Sequence, residues 1–241
     1  MTKARNIKDL DEPSCIFSDW LYLGNARHAQ SMNILNKLGI THILNITTTI
    51  PCYYPDKIKY AKIGILDVDE VVLRDYFEVS HKFIDICNPD INNNSEYKIL
   101  VHCAMGVSRS ASFIISYLMN RNININNLND TTVINEVINE LNTYTIKYNE
   151  YKKLNRNTNI IKNFDEMYDS NNYIGWDLGL SHNYVRMKRD IICPNIGFLK
   201  ELELFEMDKH GKSTLYMLPI YRKKFGKQSN NKSCKDACII L

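Results

Sequence analysis

Residues 99–120 read ILVHCAMGVSRSASFIISYLMN. The apolar opening, Ile99 to Val101, has the character of a buried strand, and the stretch from Ser110 onward is apolar nearly all round, as a buried helix would be. Between them lies a loop, Cys103 to Arg109, of small and hydroxylated residues. A loop at the C-terminal end of a sheet strand that leads into a helix collects unpaired backbone N–H groups and the positive end of the helix dipole around one point. Such a point attracts anions, a thiolate included, and the thiolate is the nucleophilic form of cysteine. Gly106 permits a sharp turn that aims the amides inward. The planar fork of Arg109 can hold two oxygens of one phosphate. An isolated cysteine is usually a small buried hydrophobe; with an amide cradle and a guanidinium beside it, Cys103 points instead to a site that binds and attacks phosphate.

The pattern on either side fixes the fold class. Trp20 to Leu23 reads as a short apolar strand ended by Gly24, residues 26–38 carry Ala26, Ala29, Met32, Leu35 and Leu38 at helical spacing, and ITHILNI (40–46) resumes as a strand. IKYAKIGIL (58–66) is a further strand, and Leu73 to Cys87 presents Leu73, Phe77, Phe83, Ile84 and Cys87 on a helix face. Strands alternating with helices imply an α/β fold with a central, mostly parallel twisted sheet flanked by helices. Between Asn120 and Asn172 the texture changes, sixteen of 53 residues being Asn, which marks a polar insertion with one candidate helix bearing Val133, Val137, Leu141 and Tyr148. Regular pattern returns near Asp177. Tyr184, Val185 and Met187 suggest one helix, Pro194 breaks it, and Phe198, Leu199 and Leu202 mark the next. The expected organisation is an N-terminal arm (1–14), a domain over 15–208 interrupted by the insertion (121–176), and a basic flexible tail (209–241).

With 44% hydrophobic and 24% charged residues, the 241-residue chain is of ordinary globular composition. A net charge of +3 argues neither for nor against nucleic acid as a partner. Seven cysteines, an odd number without C-x-x-C pairs, fit reduced thiols better than a disulfide framework or a zinc site. Five of the six histidines, His28, His42, His81, His182 and His210, stand at no metal-ligand spacing, and no metal or cofactor is expected. The N-terminus has no apolar signal region, Thr2 stands where myristoylation would need Gly, and no apolar run reaches a membrane-spanning length, so a cytoplasmic location is expected.

His102, Cys103, Gly106, Arg109 and Ser110 together meet the pattern His-Cys-x-x-Gly-x-x-Arg-Ser/Thr, which resembles the signature of the protein-tyrosine phosphatases. LYLGNARHA, LGITHILNIT, VHCAMGVSRSASFIISYLM and CPNIGFLKELELFE are similar, in that order, to segments of the dual-specificity phosphatases, over about residues 15–120 and 177–208. The resemblance implies a cysteine phosphatase fold and a two-step, metal-free hydrolysis. In it Cys103 is the nucleophile, and Arg109 and the loop amides of Ala104, Met105, Gly106, Val107 and Ser108 hold the phosphate. Ser110 eases departure of the thiolate, and His102 orders the loop without acting as a base. The family's general acid, ten residues before a helix Phe and six before an apolar Leu, corresponds to Asp67 by way of Phe77 and Leu73, with Asp69 as the fallback.

The implied activity is hydrolysis of phosphotyrosine and phosphoserine or phosphothreonine in a phosphoprotein partner. The rival substrates, phosphoinositides or RNA 5′-phosphates, carry more negative charge and favour extra cations in the loop, which Ala104, Met105, Val107 and Ser108 do not supply. A further rival is an idle phosphoprotein-binding scaffold, against which Cys103, Arg109 and an Asp at the right offset all count. The last four residues, Cys238 to Leu241, fit a C-a-a-X prenylation signal, Leu favouring geranylgeranyl, with Cys234 as a possible acylation site. Six basic residues and no acidic one between Arg222 and Lys235 supply a second signal toward an anionic membrane surface. Prenylation on the cytoplasmic face of a membrane is therefore expected.

Overall fold

The computed structural model describes residues 12–17, 19–92, 96–120, 122–124, 173–211, 213–215 and 218. Five strands form one sheet: β1 (Ser14–Phe17), β2 (Leu21–Gly24), β3 (His42–Asn45), β4 (Lys59–Lys62) and β5 (Ile99–His102), in the spatial order β1-β2-β5-β3-β4. β2, β5, β3 and β4 run parallel, and β1 is antiparallel to β2. The α/β class with a mostly parallel sheet is thus the one the alternating pattern implied. β5 sits at the centre because every position of ILVH is buried; such a strand needs a partner on each side and cover on both faces.

Successive residues of these strands serve opposite faces. Leu21, Leu23, Leu44, Ile99 and Val101 enter the larger core, and Tyr22, Ile43 and Leu100 enter the smaller. The smaller face is covered by α1 (Ala26–Gln30) and α2 (Met32–Leu38), through Ala29 and Leu35. On the larger face lie α3 (Arg74–Asp85), α5 (Arg109–Met119), α6 (Leu178–Lys188) and α7 (Ile196–His210), while the short α4 (Pro89–Asn92), with no buried residue, follows α3 in the chain. All but one residue of α5 are buried, as its apolar circumference predicted.

Two differences from the sequence reading have local causes. The single helix expected over 26–38 is divided at Ser31, whose backbone is extended and whose hydroxyl accepts from Ile34 N at 3.4 Å to start α2; a serine that can bond the backbone ahead of it favours a cap over a helix interior. The hairpin strand β1, not anticipated, is four residues with a bulge between Cys15 and Phe17 and a turn at Asp19 with φ 59°. Its alternation is too short to register as a period.

The ends of the Asn-rich stretch meet. β6 (Asn122–Asn124) pairs antiparallel with β7 (Tyr173–Gly175), Asn122 opposite Gly175. The helix expected around Val133 to Tyr148 lies outside the described residues, as do residues 1–11 of the arm and most of the basic tail, while Ser14, at the arm's end, already belongs to β1.

In the parallel register, Gly24 and Asn45 flank His102, so the C-terminal ends of β2, β3 and β5 align where the cysteine loop begins. No helix among the described residues is long and apolar enough to cross a membrane.

Candidate active site

Cys103 leaves β5 with its sulfur turned back under the loop, 1% exposed. Sγ accepts hydrogen bonds from Gly106 N and from Ser110 Oγ, each at 3.2 Å, and two such donors stabilise a thiolate. The amides face inward because the carbonyls are held outward. A trans peptide unit points its C=O and N–H in opposite directions. Ala104 O accepts from Ala26 N at 3.2 Å, Met105 O and Gly106 O from Arg189 Nη2 and Nε at 3.4 and 2.8 Å, and Val107 O from Cys193 N at 2.8 Å. The N–H groups of residues 105 to 108 are thereby turned to the inner side, where Gly106 N meets the sulfur. Gly106 has φ 68°, and a Cβ there would stand 2.4 Å from Gly24 O. A side chain is excluded both by conformation and by space.

Arg109 opens α5. Its Nη1 donates to Ile65 O at 3.2 Å, and its Nε lies 3.4 Å from Asp67 Oδ2. Asp67 stands on the segment between β4 and α3, and its Oδ1 accepts from Ser108 Oγ at 2.7 Å and from Asn195 Nδ2 at 2.9 Å. Asp69 turns elsewhere, accepting from Gly197 N at 3.3 Å. Of the two candidate carboxylates, it is therefore Asp67 that lies against the cysteine loop. Met105 is the loop's exposed residue, at 44%, and no Lys or Arg other than Arg109 belongs to the loop. A buried sulfur ringed by donors, a guanidinium at the rim and a carboxylate beside it can bind a phosphate, attack it and exchange a proton with it.

Residues 21–131 match the family model described as dual specificity phosphatase, catalytic domain. These residues form a dual-specificity phosphatase catalytic domain. The human Slingshot homolog 1 phosphatase is 31% identical over 197 residues, which is 82% of this chain and 13% of that protein. Dual specificity protein phosphatase 1 of Arabidopsis thaliana is 32% identical over 118 residues, 49% of this chain and 57% of that one. This chain spans 20% or less of the Slingshot relatives from Xenopus laevis, mouse and human. Among solved structures, human DUSP28 is similar with a TM-score of 0.53 at 17% identity, covering 82% of this chain and 94% of that one. The Yvh1 phosphatase domain of Chaetomium thermophilum reaches 0.53 at 23%, covering 83% and 99%. At these identities the likeness is one of fold.

In this dual-specificity domain His102 is fully buried behind the loop. Its Nδ1 lies 3.2 Å from Cys103 O, an acceptor, so the ring carries its proton on Nδ1. Burial pushes its pKa down to about 4, despite that bond, and the imidazole is neutral. The expected site residues Cys103, Arg109, Ser110, His102 and Asp67 are therefore assembled around one loop, whereas Cys234 and Cys238 lie outside the described residues. Among the described residues Cys15, Cys52, Cys87 and Cys103 are free thiols. Burial pushes the Cys87 thiol up to about 12, which makes it inert.

Two residues escaped the sequence reading. Arg189, 3% exposed, braces the loop from outside. Asn195 binds Asp67 while capping α7 through Oδ1, which accepts from Phe198 N at 2.8 Å. Pro194-Asn195 before an apolar run is a recognisable helix start, so the cap was visible in the sequence; the reach to Asp67 was not.

Proposed function

We propose that this chain is a protein phosphatase that hydrolyses phosphotyrosine and phosphoserine or phosphothreonine through a cysteinyl-phosphate intermediate. The observation that carries the reading is the convergence of Gly106 N and Ser110 Oγ on Cys103 Sγ, with Arg109 and Asp67 at the rim of the same loop. The Cys103 thiolate attacks phosphorus as the P–O bond to the leaving oxygen breaks, and Asp67 gives its proton to that oxygen. Arg109 and the amides from Ala104 to Arg109 hold the three remaining oxygens where charge develops. Water then attacks the phosphocysteine, Asp67 takes up its proton, and the P–S bond breaks with Ser110 Oγ–H supporting the departing thiolate. His102, neutral and bonded to Cys103 O, keeps the loop in shape.

The uncharged Ala104, Met105, Val107 and Ser108 support a protein phosphate over phosphoinositides or RNA 5′-phosphates. The domain spans 15–208 with 121–176 as an insertion, a reading supported by the β6-β7 pairing at the insertion's ends. Tethering to the cytoplasmic face of a membrane rests on sequence alone, on Cys238 to Leu241 and the basic run before them. Mass spectrometry of the protein from its own cells tests it: Cys238 lipidated with Ile239 to Leu241 removed supports the anchor, and an intact end removes it.

For the activity, the purified chain and its Cys103→Ser variant are assayed on a phosphotyrosine peptide, a phosphothreonine peptide and a phosphoinositide. Wild type should hydrolyse both peptides and the variant neither. Equal inactivity of the two proteins on all three substrates overturns the enzyme reading, and turnover of the phosphoinositide alone overturns the substrate class.

A further inference from the structure

The mechanism just described needs the proton of Asp67 on the oxygen that faces the leaving group, and nothing in it says how that oxygen is chosen. Asp67 Oδ1 accepts two hydrogen bonds, from Ser108 Oγ at 2.7 Å and Asn195 Nδ2 at 2.9 Å. The Ser108 hydroxyl is itself directed, because its oxygen accepts from Asn195 N at 3.2 Å and its hydrogen is left to point at Asp67. A carboxylate oxygen has two lone-pair sites, so both of those on Oδ1 are taken, and protonation there would break one bond. Among the described residues Oδ2 accepts no hydrogen bond, and Arg109 Nε lies 3.4 Å from it without donating one.

The same segment grips the acid loop a second time. Gly197 N donates to Asp69 Oδ1 at 3.3 Å, and the approach is so close that a Cβ on Gly197 would stand 1.9 Å from Asp69 O. Asn195 and Gly197 belong to the rigid start of α7, where Asn195 Oδ1 also accepts from Phe198 N.

We infer that the Asn195-to-Gly197 start of α7 is a positioning clamp for the general acid, with Asn195 and Ser108 saturating Asp67 Oδ1 so that the catalytic proton resides on Oδ2. The inference rests on the reading of Asp67 as the acid. The side chain of Asn195 bonds Asp67 and Phe198 N, not the sulfur. It acts through Asp67, and its second task, capping, can be separated from the first. Serine at an N-cap retains a capping oxygen but is too short to reach Asp67. Aspartate also retains it and replaces the donor to Asp67 by a carboxylate.

The test compares wild type, Asp67→Asn, Asn195→Ser and Asn195→Asp on 4-nitrophenyl phosphate, whose leaving group departs without protonation, and on phenyl phosphate, whose leaving group needs the acid. General acids contribute about 100-fold or more to such steps. The expected result is a loss of kcat/KM on phenyl phosphate of about 10-fold for Asn195→Ser and about 100-fold for Asn195→Asp. The loss on 4-nitrophenyl phosphate should be several times smaller, with thermal midpoints unchanged. If Asp67→Asn shows the leaving-group-selective loss and the Asn195 variants lose both substrates equally or neither, the clamp is wrong and the acid stands. If Asp67→Asn itself is unselective, Asp67 is not the acid and the clamp falls with it.

Discussion

Gly106 and Arg189 work on opposite sides of one peptide unit. Gly106 turns at φ 68° so that its N–H reaches Cys103 Sγ, and Arg189 holds the carbonyls of Met105 and Gly106 away from that side. Gly106→Ala combines about 1 kcal/mol or more of left-handed strain with a Cβ lodged 2.4 Å from Gly24 O. The loop has to shift, and kcat/KM on a phosphotyrosine peptide should fall on the order of 100-fold. Arg189→Met leaves the buried Gly106 carbonyl without its donor, at a cost of about 1–3 kcal/mol, and removes the donor to the part-buried Met105 carbonyl as well. Denaturant unfolding should show the loss of stability together with a fall in kcat, and Arg189→Lys should restore only part of it, since an ammonium cannot reproduce the planar fork. The residues legible in the sequence share a property these lack. Cys103, Gly106, Arg109 and Ser110 sit within eight consecutive positions, where local chain geometry alone brings them together. Arg189 meets Gly106 across 83 residues and Asn195 meets Asp67 across 128. An arginine or asparagine so far away carries no local mark of its tertiary partner.

At the scale of elements, the period-2 and 3.6-residue patterns placed β2, β3, β5, α3 and α5 because each buries a stripe long enough to repeat. They failed where a polar cap or a short hairpin overrode the repeat, at Ser31 and at β1. The relation between the acid segment and α7 was likewise hidden, being a matter of contact distance. It yields a prediction: Gly197→Ala pushes the segment bearing Asp67 and Asp69 away from α7, because its Cβ would enter at 1.9 Å from Asp69 O. Turnover of phenyl phosphate should drop sharply while the rate of Cys103 alkylation by iodoacetate stays near that of wild type. Equal losses in both would show that the substitution disrupts the cysteine loop as well.

Across the whole molecule, stability should depend on pH through buried histidines. Burial pushes the pKa of His81 down to about 3 and those of His102 and His182 down to about 4, against about 6.5 in an unfolded chain. Between pH 6.5 and 4 these three bind protons only when the chain unfolds, so acidification draws the protein toward the unfolded state and stability falls as pH drops. Glu206 acts in the opposite sense: buried beside Asp177, its carboxyl is raised above the ordinary range and contributes stability as pH falls. Three groups outweigh one. The thermal midpoint should decline from pH 7 to pH 4.5, by several degrees for a loss of a few kcal/mol; a flat or rising profile would contradict the burial of neutral imidazoles.

The architecture itself, a parallel sheet whose strands end together beneath a loop and a buried helix, exists to hold one sulfur among donors. The most direct test of that claim is to look for the phosphate on the sulfur. A phosphotyrosine peptide is mixed with Ser110→Ala protein, in which the proposed donor to the departing thiolate is removed, the reaction is quenched within a turnover, and the peptide carrying Cys103 is analysed by mass spectrometry. The account predicts a phosphate adduct on Cys103 that accumulates more in Ser110→Ala than in wild type and is absent from Cys103→Ser. Release of phosphate with no adduct at any time, or hydrolysis that survives Cys103→Ser, would contradict it.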